Sequence, residues 1–180
     1  LFLIPLTDHL NVGREIYSIG ISLNVLFTGL GAPLFGALAD KYGPGKSIFL
    51  GAILQIISQY WLSNVSNSFD LIGSLLLGGF AAAGFIGIAM AAVGRSVSPQ
   101  NRSLFVGMVM ASGGLGQFLI TPLMSGIIQN AGWLTAVYVL MFFSSLLIIF
   151  SYLISFSKDA QSDSNNVKQT VSEAFKEAIK

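Results

Sequence analysis

Charge is what this sequence has least of. Only 9% of its 180 residues are Asp, Glu, Lys or Arg, while 53% are hydrophobic. A soluble domain carries about 25% charged residues. So few charges do not clothe a water-facing surface, and the solvent around most of the chain is lipid. The formal net charge of +1 excludes the electrostatic footprint of a nucleic-acid binder. Cysteine is absent, which excludes disulfides, thiol nucleophiles and cysteine metal sites. The single histidine, His9, stands alone in a polar stretch and reads as a surface residue. There is no nucleophile elbow and no H-E-x-x-H pattern, so the sequence predicts no enzyme, metal site or cofactor. No G-x-x-x-x-G-K-[ST] segment occurs, which argues against ATP as a direct energy source.

The charges that do occur form islands. Between them lie the uncharged runs Ile16–Ala39, Ser47–Phe69, Leu71–Gly94 and Ser103–Ser157. A helix rises 1.5 Å per residue, so each of the first three is about one membrane thickness long. The fourth is long enough for two spans, and Asn130-Ala131-Gly132-Trp133 is its one polar, glycine-containing turn signal. Runs such as Leu71–Leu77 do not alternate in polarity, which disfavours barrel strands. Backbone groups in hydrocarbon must bond internally, and helices remain. The expected fold is an all-α membrane protein with five complete spans near residues 16–40, 46–65, 69–95, 101–129 and 133–157. Leu1–Leu6 is apolar but too short to cross a bilayer, and it lacks the basic region of a signal peptide. It reads as the end of a truncated first span, making the chain a fragment. Residues 1–157 then form a six-span transmembrane half. Residues 158–180 form a cytosolic linker with a short amphipathic helix, its apolar positions Val167, Val171, Ala174, Phe175, Ala178 and Ile179 recurring at helical spacing.

Basic residues set the orientation. Six spans put Lys41, Lys46, Arg95, Arg102, Lys158, Lys168, Lys176 and Lys180 on one side and Arg14 alone on the other. The first side is the expected cytoplasmic one, so the C-terminus is expected there, in a multi-pass protein of the cell (inner) membrane.

Polar residues inside apolar spans mark a pathway or an interhelical bond, because lipid penalises them. Asn24, Gln55, Gln59 and Gln117 are these residues. Gln55 and Gln59 share a helix face at i, i+4. Gln117 lies at mid-span beside Gly113 and Gly116, and is the favoured contact of a substrate cavity. Pro33 and Pro122 fall inside spans and are expected to kink them.

The segment Gly36-Ala37-Leu38-Ala39-Asp40-Lys41-Tyr42-Gly43-Pro44-Gly45-Lys46 joins the second and third spans. Gly36 suits close helix approach, Gly43 a tight reversal, and Lys41 and Lys46 a cytoplasmic loop. This segment resembles the signature loop of the major facilitator superfamily, G-x-L-A-D-[RK]-x-G-[RK]-[RK]-x, with Pro44 and Gly45 where many members carry bases. The order Gly94-Arg95-Ser96, Gln100–Leu104, Gly107, Ala111–Gly116, Thr121-Pro122-Leu123 and Ala131-Gly132-Trp133 is similar to that of the monocarboxylate-transporter-like and oxalate/formate-antiporter-like branches. Leu134 replaces an arginine frequent after that turn, and Ser74 and Leu75 stand where the superfamily's intramembrane arginine would lie.

The resemblance implies the N-terminal half of a secondary transporter of a small solute, an organic anion such as a monocarboxylate. Alternating access would be driven by symport or antiport with a coupling proton or exchange anion. The partners are that solute, the lipid bilayer and a missing C-terminal half of the same chain. Asp40 and Arg95, an acid and a base at matching depth, are expected to pair as a cytoplasmic gate. No acid or base lies deep in a complete span, so the cation that a carboxylate requires is expected in the first span or the second half. The alternative is a non-transporting scaffold or receptor on the same fold.

Overall fold

The computed structural model describes residues 2–156, and the side chains of all of these except 95, 96 and 153–156. The predicted linker and amphipathic helix at 158–180 lie outside the described residues.

Six helices follow one another, with no strand among the described residues: α1 Leu3–Leu10, α2 Arg14–Tyr42, α3 Pro44–Ser63, α4 Ser68–Ala82, α5 Ile86–Ser96 and α6 Arg102–Phe156. α1 ends at Asn11, whose φ of 51° is the left-handed cap that asparagine tolerates. α2 ends at Gly43, at φ 91°, where only glycine is unstrained, and Pro44 opens α3. Asn67 caps α4, its side-chain oxygen accepting from the Asp70 N–H at 2.9 Å. α6 is broken at Gly132, at φ 84°. Its limbs, 102–131 and 133–156, are the predicted fifth and sixth spans. The helices run on through Pro33 and Pro122.

Three stretches are long and apolar enough to cross a membrane: Arg14–Tyr42, Ser68–Gly94 and Arg102–Tyr152, the last containing the Gly132 break. α3 has full length at 20 residues but is not among them. Its sequence carries Lys46, Ser47, Gln55, Ser58 and Gln59, of which Ser47, Ser58 and Gln59 are buried inside the bundle. The predicted fourth span differs from a single helix. It is interrupted at Ala83–Phe85, where the Gly84 N–H bonds Ala81 O at 2.9 Å, an i to i−3 bond in place of i to i−4. The interruption lies at a backbone crossing. A Cβ on Gly84 would come within 2.8 Å of the Gly51 Cα.

Two apolar clusters hold the ends of the bundle. Phe35, Ala39, Ile48, Ala83 and Ile88 pack near the basic end, which carries Lys41 and Lys46. Leu6, Val65 and Leu71 pack at the opposite end, with Phe2, Leu10, Ile16, Tyr17, Leu62, Leu75 and Trp133 against them. Between the clusters α2 lies against α4 through glycines. A Cβ on Gly20 would strike the Leu75 side chain, one on Gly31 would crowd Phe80 and strike Ala83 just past the end of α4, and one on Gly79 would collide with the Asn24 backbone. The close approach expected at Gly36 is therefore placed elsewhere, since Gly36 meets nothing within 4 Å. The same holds for Gly107, Gly113, Gly114, Gly116 and Gly126 of α6.

This contrast yields a paired expectation. Gly79→Ala forces α2 and α4 apart and destabilises by about 1–3 kcal/mol or more, as overpacking does. Gly107→Ala, in open space within a helix, is neutral or stabilising by up to about 1 kcal/mol. Thermal unfolding of the purified protein in detergent, read as the midpoint of each variant, checks both.

Candidate substrate cavity and signature loop

The predicted intramembrane amides divide into two places. Asn24, Gln55 and Gln59 come together from α2 and α3 at an open cleft of about 500 Å³, lined also by Gly78 and Ala82 of α4, by Phe85, and by Leu140, Phe143, Ser144 and Leu147 of the second limb of α6. Gln117 is not part of it. It lies exposed on the first limb of α6, with its backbone carbonyl accepting from Thr121 Oγ1 at 2.6 Å.

The amides facing the cavity are not equivalent. Asn24 Nδ2 donates to Leu75 O at 2.6 Å, tying α2 to α4. Thr28 Oγ1, one turn further on, donates to Gly79 O at 2.9 Å, and Ser58 Oγ donates from α3 to Ser74 O at 2.8 Å. These bonds reach carbonyls because Gly78 and Gly79 let the neighbouring backbones approach, with Gly78 facing Ser58 and Gly79 facing Asn24. Gln59 is the exception. It is buried, at 9% exposure, and its Oε1 has no hydrogen-bond partner. Periodicity placed Gln55 and Gln59 on one face. The ties made by Thr28 and Ser58 were not anticipated, because hydroxyls in a span carry little signal on their own.

The signature loop is built at the basic end. Gly43 N–H caps α2 on Ala39 O at 2.8 Å, and buried Ser47 Oγ donates back to Phe35 O at 3.1 Å. Asp40, Lys41 and Lys46 are exposed around the turn. Lys41 Nζ and Lys46 Nζ lie 5.0 and 5.7 Å from the Tyr42 ring centroid, within cation–π range. The expected Asp40–Arg95 pair falls on Arg95, whose side chain lies outside the described residues. At the opposite end, Asp70 accepts from Ser66 Oγ at 2.9 Å and Trp61 Nε1 at 3.3 Å, and His9 packs its ring on Trp133 at 5.1 Å. Every described Lys, Arg and His side chain is exposed. Among the described residues no group of acids and histidines is placed to hold a metal ion.

A bundle of membrane-length helices with Asn24, Thr28, Ser58 and Gln59 turned between them, and with a loop of this kind between its second and third helices, has the architecture of a membrane transporter. The sequence model of the Major Facilitator Superfamily matches residues 1–180, and the chain belongs to that family. The family is one of transporters rather than enzymes. The chain is 29% identical over 109 residues to the uncharacterized MFS-type transporter YwfA of Bacillus subtilis, covering 61% of this chain and 26% of that protein. It is 29% identical over 143 residues to the multi-drug resistance efflux pump PmrA homolog of Lactococcus lactis, covering 79% and 34%. It is 30% identical over 119 residues to monocarboxylate transporter 13 of Rattus norvegicus, covering 66% and 27%. The chain thus spans about a third or less of the length of these relatives.

The Asn24 tie is expected to stabilise rather than to bind solute. Asn24→Leu lowers stability by about 0.6 kcal/mol, the average for hydrogen bonds between membrane helices, and by no more than about 1.7 kcal/mol. The half-saturation concentration for solute stays unchanged. Thermal unfolding and uptake kinetics on the same preparation check the two statements together.

Proposed function

We propose that this chain is the N-terminal six-span half, with its first span truncated, of a longer polypeptide. That polypeptide moves a small organic anion such as a monocarboxylate across the cell membrane by alternating access. The observation that carries the reading is the loop Gly36–Lys46, which links two membrane-length helices through a positive-φ glycine and matches the family's signature position by position except at Pro44 and Gly45. In such folds two halves rock about a central site. The solute class is supported by the identity to monocarboxylate transporter 13 over two thirds of the chain. The efflux pump among the relatives supports transport and a different solute.

Within this reading the C-terminus is cytoplasmic, as the distribution of Lys and Arg favours. Asp40 and Arg95 pair at that side and hold it shut in the outward-facing state. Gln117 contacts the solute, since an exposed amide at mid-span is disfavoured against lipid and suits a wet path. The cation that neutralises an anion comes from outside the described residues. The drive is a coupling proton or an exchange anion.

Counterflow of labelled short-chain monocarboxylates in vesicles holding the full-length polypeptide tests the reading. Saturable exchange is expected, whereas a scaffold or receptor on the same fold shows none. Gln117→Ala is expected to raise the half-saturation concentration roughly 2- to 12-fold, the effect of a lost hydrogen bond of ~0.5–1.5 kcal/mol. Asp40→Asn and Arg95→Gln are expected to slow exchange, and the double variant to be no slower than either single one. Independent, multiplying effects in that cycle would remove the gate pair.

A further inference from the structure

The break in α6 is anchored by the residue beside it. A Cβ on Gly132 would meet nothing within 4 Å, so no packing holds the break at that glycine itself. Trp133, the next residue, packs against the cluster of Leu6, Val65 and Leu71. Leu6 belongs to α1, Val65 to the loop between α3 and α4, and Leu71 to α4. One indole thus ties the junction of the two limbs of α6 to three other parts of the chain. The same indole meets the ring of His9, in the last turn of α1, at 5.1 Å between centroids and 53° between planes. Among the described residues no hydrogen bond or ion pair engages that imidazole. Histidine is the one side chain that ordinarily changes charge between about pH 5 and 8. A neutral imidazole at this distance makes an aromatic pair. An imidazolium within about 6 Å of an indole makes a cation–π contact, for which tryptophan is the best ring.

We propose that His9 and Trp133 form a pH-sensitive latch, in which protonation of His9 tightens the end of α1 on the break in α6. The charged groups at this end of the bundle are Asp8 beside His9 on α1, Arg14 and Glu15 at the start of α2, and Asp70 at the start of α4. The phenols there are Tyr17 of α2, Tyr60 of α3 and Tyr138 of α6. Asp70 is taken up by Ser66 and Trp61. α6 brings no charge to the latch, since residues 129–137 are all uncharged. Trp133 keeps its apolar packing whatever the pH, and the charge of the ring against it is the variable. The indole face holds a cation more tightly than a neutral ring, so the latch is more closed at acid pH and loosens as pH rises through the histidine range. His9 is exposed, and at an exposed site the added attraction changes the closed-to-open ratio roughly 2- to 5-fold. The latch does not rest on the transport reading or on which solute is carried.

Val65 belongs to the cluster against which Trp133 packs and is 4% exposed, so a thiol placed there reports opening of the latch. The 180 residues contain no cysteine of their own. In the full-length polypeptide in detergent, freed of any other cysteine, Val65→Cys is alkylated with N-ethylmaleimide between about pH 5 and 8. The rate with His9 is divided at each pH by the rate with His9→Phe, which keeps a ring without a charge. That division cancels the pH dependence of the thiolate itself. The expected ratio falls roughly 2- to 5-fold from the alkaline to the acid end of the range. In a Trp133→Leu background it is expected to stay flat. In a Trp133→Phe background, which keeps an aromatic ring but a poorer cation acceptor, it is expected to fall less than with Trp133. A ratio that does not change with pH while Trp133 is present overturns the latch. The same fall in the Trp133→Leu background also overturns it, because the charge on His9 then acts without the indole. So does a fall abolished by Asp8→Asn or Glu15→Gln, because a carboxylate is then the partner of His9. None of these readouts needs transport, so the latch and the transport reading fail separately.

Discussion

Inside a bilayer a polar side chain has no water to turn to, and the tie between α2 and α4 is where this chain meets that constraint most fully. Asn24 and Thr28 each donate to an α4 carbonyl, at 2.6 and 2.9 Å. Both bonds require the two backbones to lie closer than side chains normally allow. Gly79 provides that approach, because any Cβ there would collide with the Asn24 backbone. The order of cause is clear. Glycine permits contact, contact brings carbonyls within reach, and the carbonyls satisfy residues that lipid would otherwise penalise. Ser58 on Ser74 O and Ser47 on Phe35 O repeat the device from α3. Hydrophobic attraction between helices is weak in lipid, so this geometry and the packing around it hold the bundle together.

The interruption in the fourth span lies beside the same tie. α4 is held against α2, and Gly84 meets Gly51 of α3 at the backbone. The chain tightens through Ala83–Phe85, with i to i−3 bonds at Gly84 and Phe85, and resumes as α5. Interrupted helices in transporters are tolerated where protein or a cavity covers them. Here Ala83 and Gly84 are buried, and Ala82 and Phe85 border the cavity.

Much of the fold was legible because charge is so scarce. Arg14, Lys41, Lys46 and Arg102 stand within a residue or two of helix ends, and Gly132 breaks α6 within the predicted turn. The composition of a span could not reveal the break at Ala83–Phe85, since the residues there are as apolar as their neighbours and the backbone that Gly84 meets is 33 positions away in α3. Nor could glycine spacing separate its two uses. Gly79 is jammed against a backbone and Gly107 faces open space, yet both sit in similar apolar surroundings. The amides show the same limit. Helical period joined Gln55 to Gln59, but that Asn24 faces the same space and Gln117 does not depends on tertiary placement.

The distribution of charge constrains mechanism more than any single residue does. Every described cation is exposed, near a helix end. A carboxylate at the midplane without a cation bears an uncompensated desolvation cost. The described helices are held to one another by neutral ties, and no described cation lies between them. The strength of such ties does not change with the protonation of a neighbouring group. With Asn24 and Thr28 bonded to backbone carbonyls, the α2–α4 contact needs no buried charge to hold it.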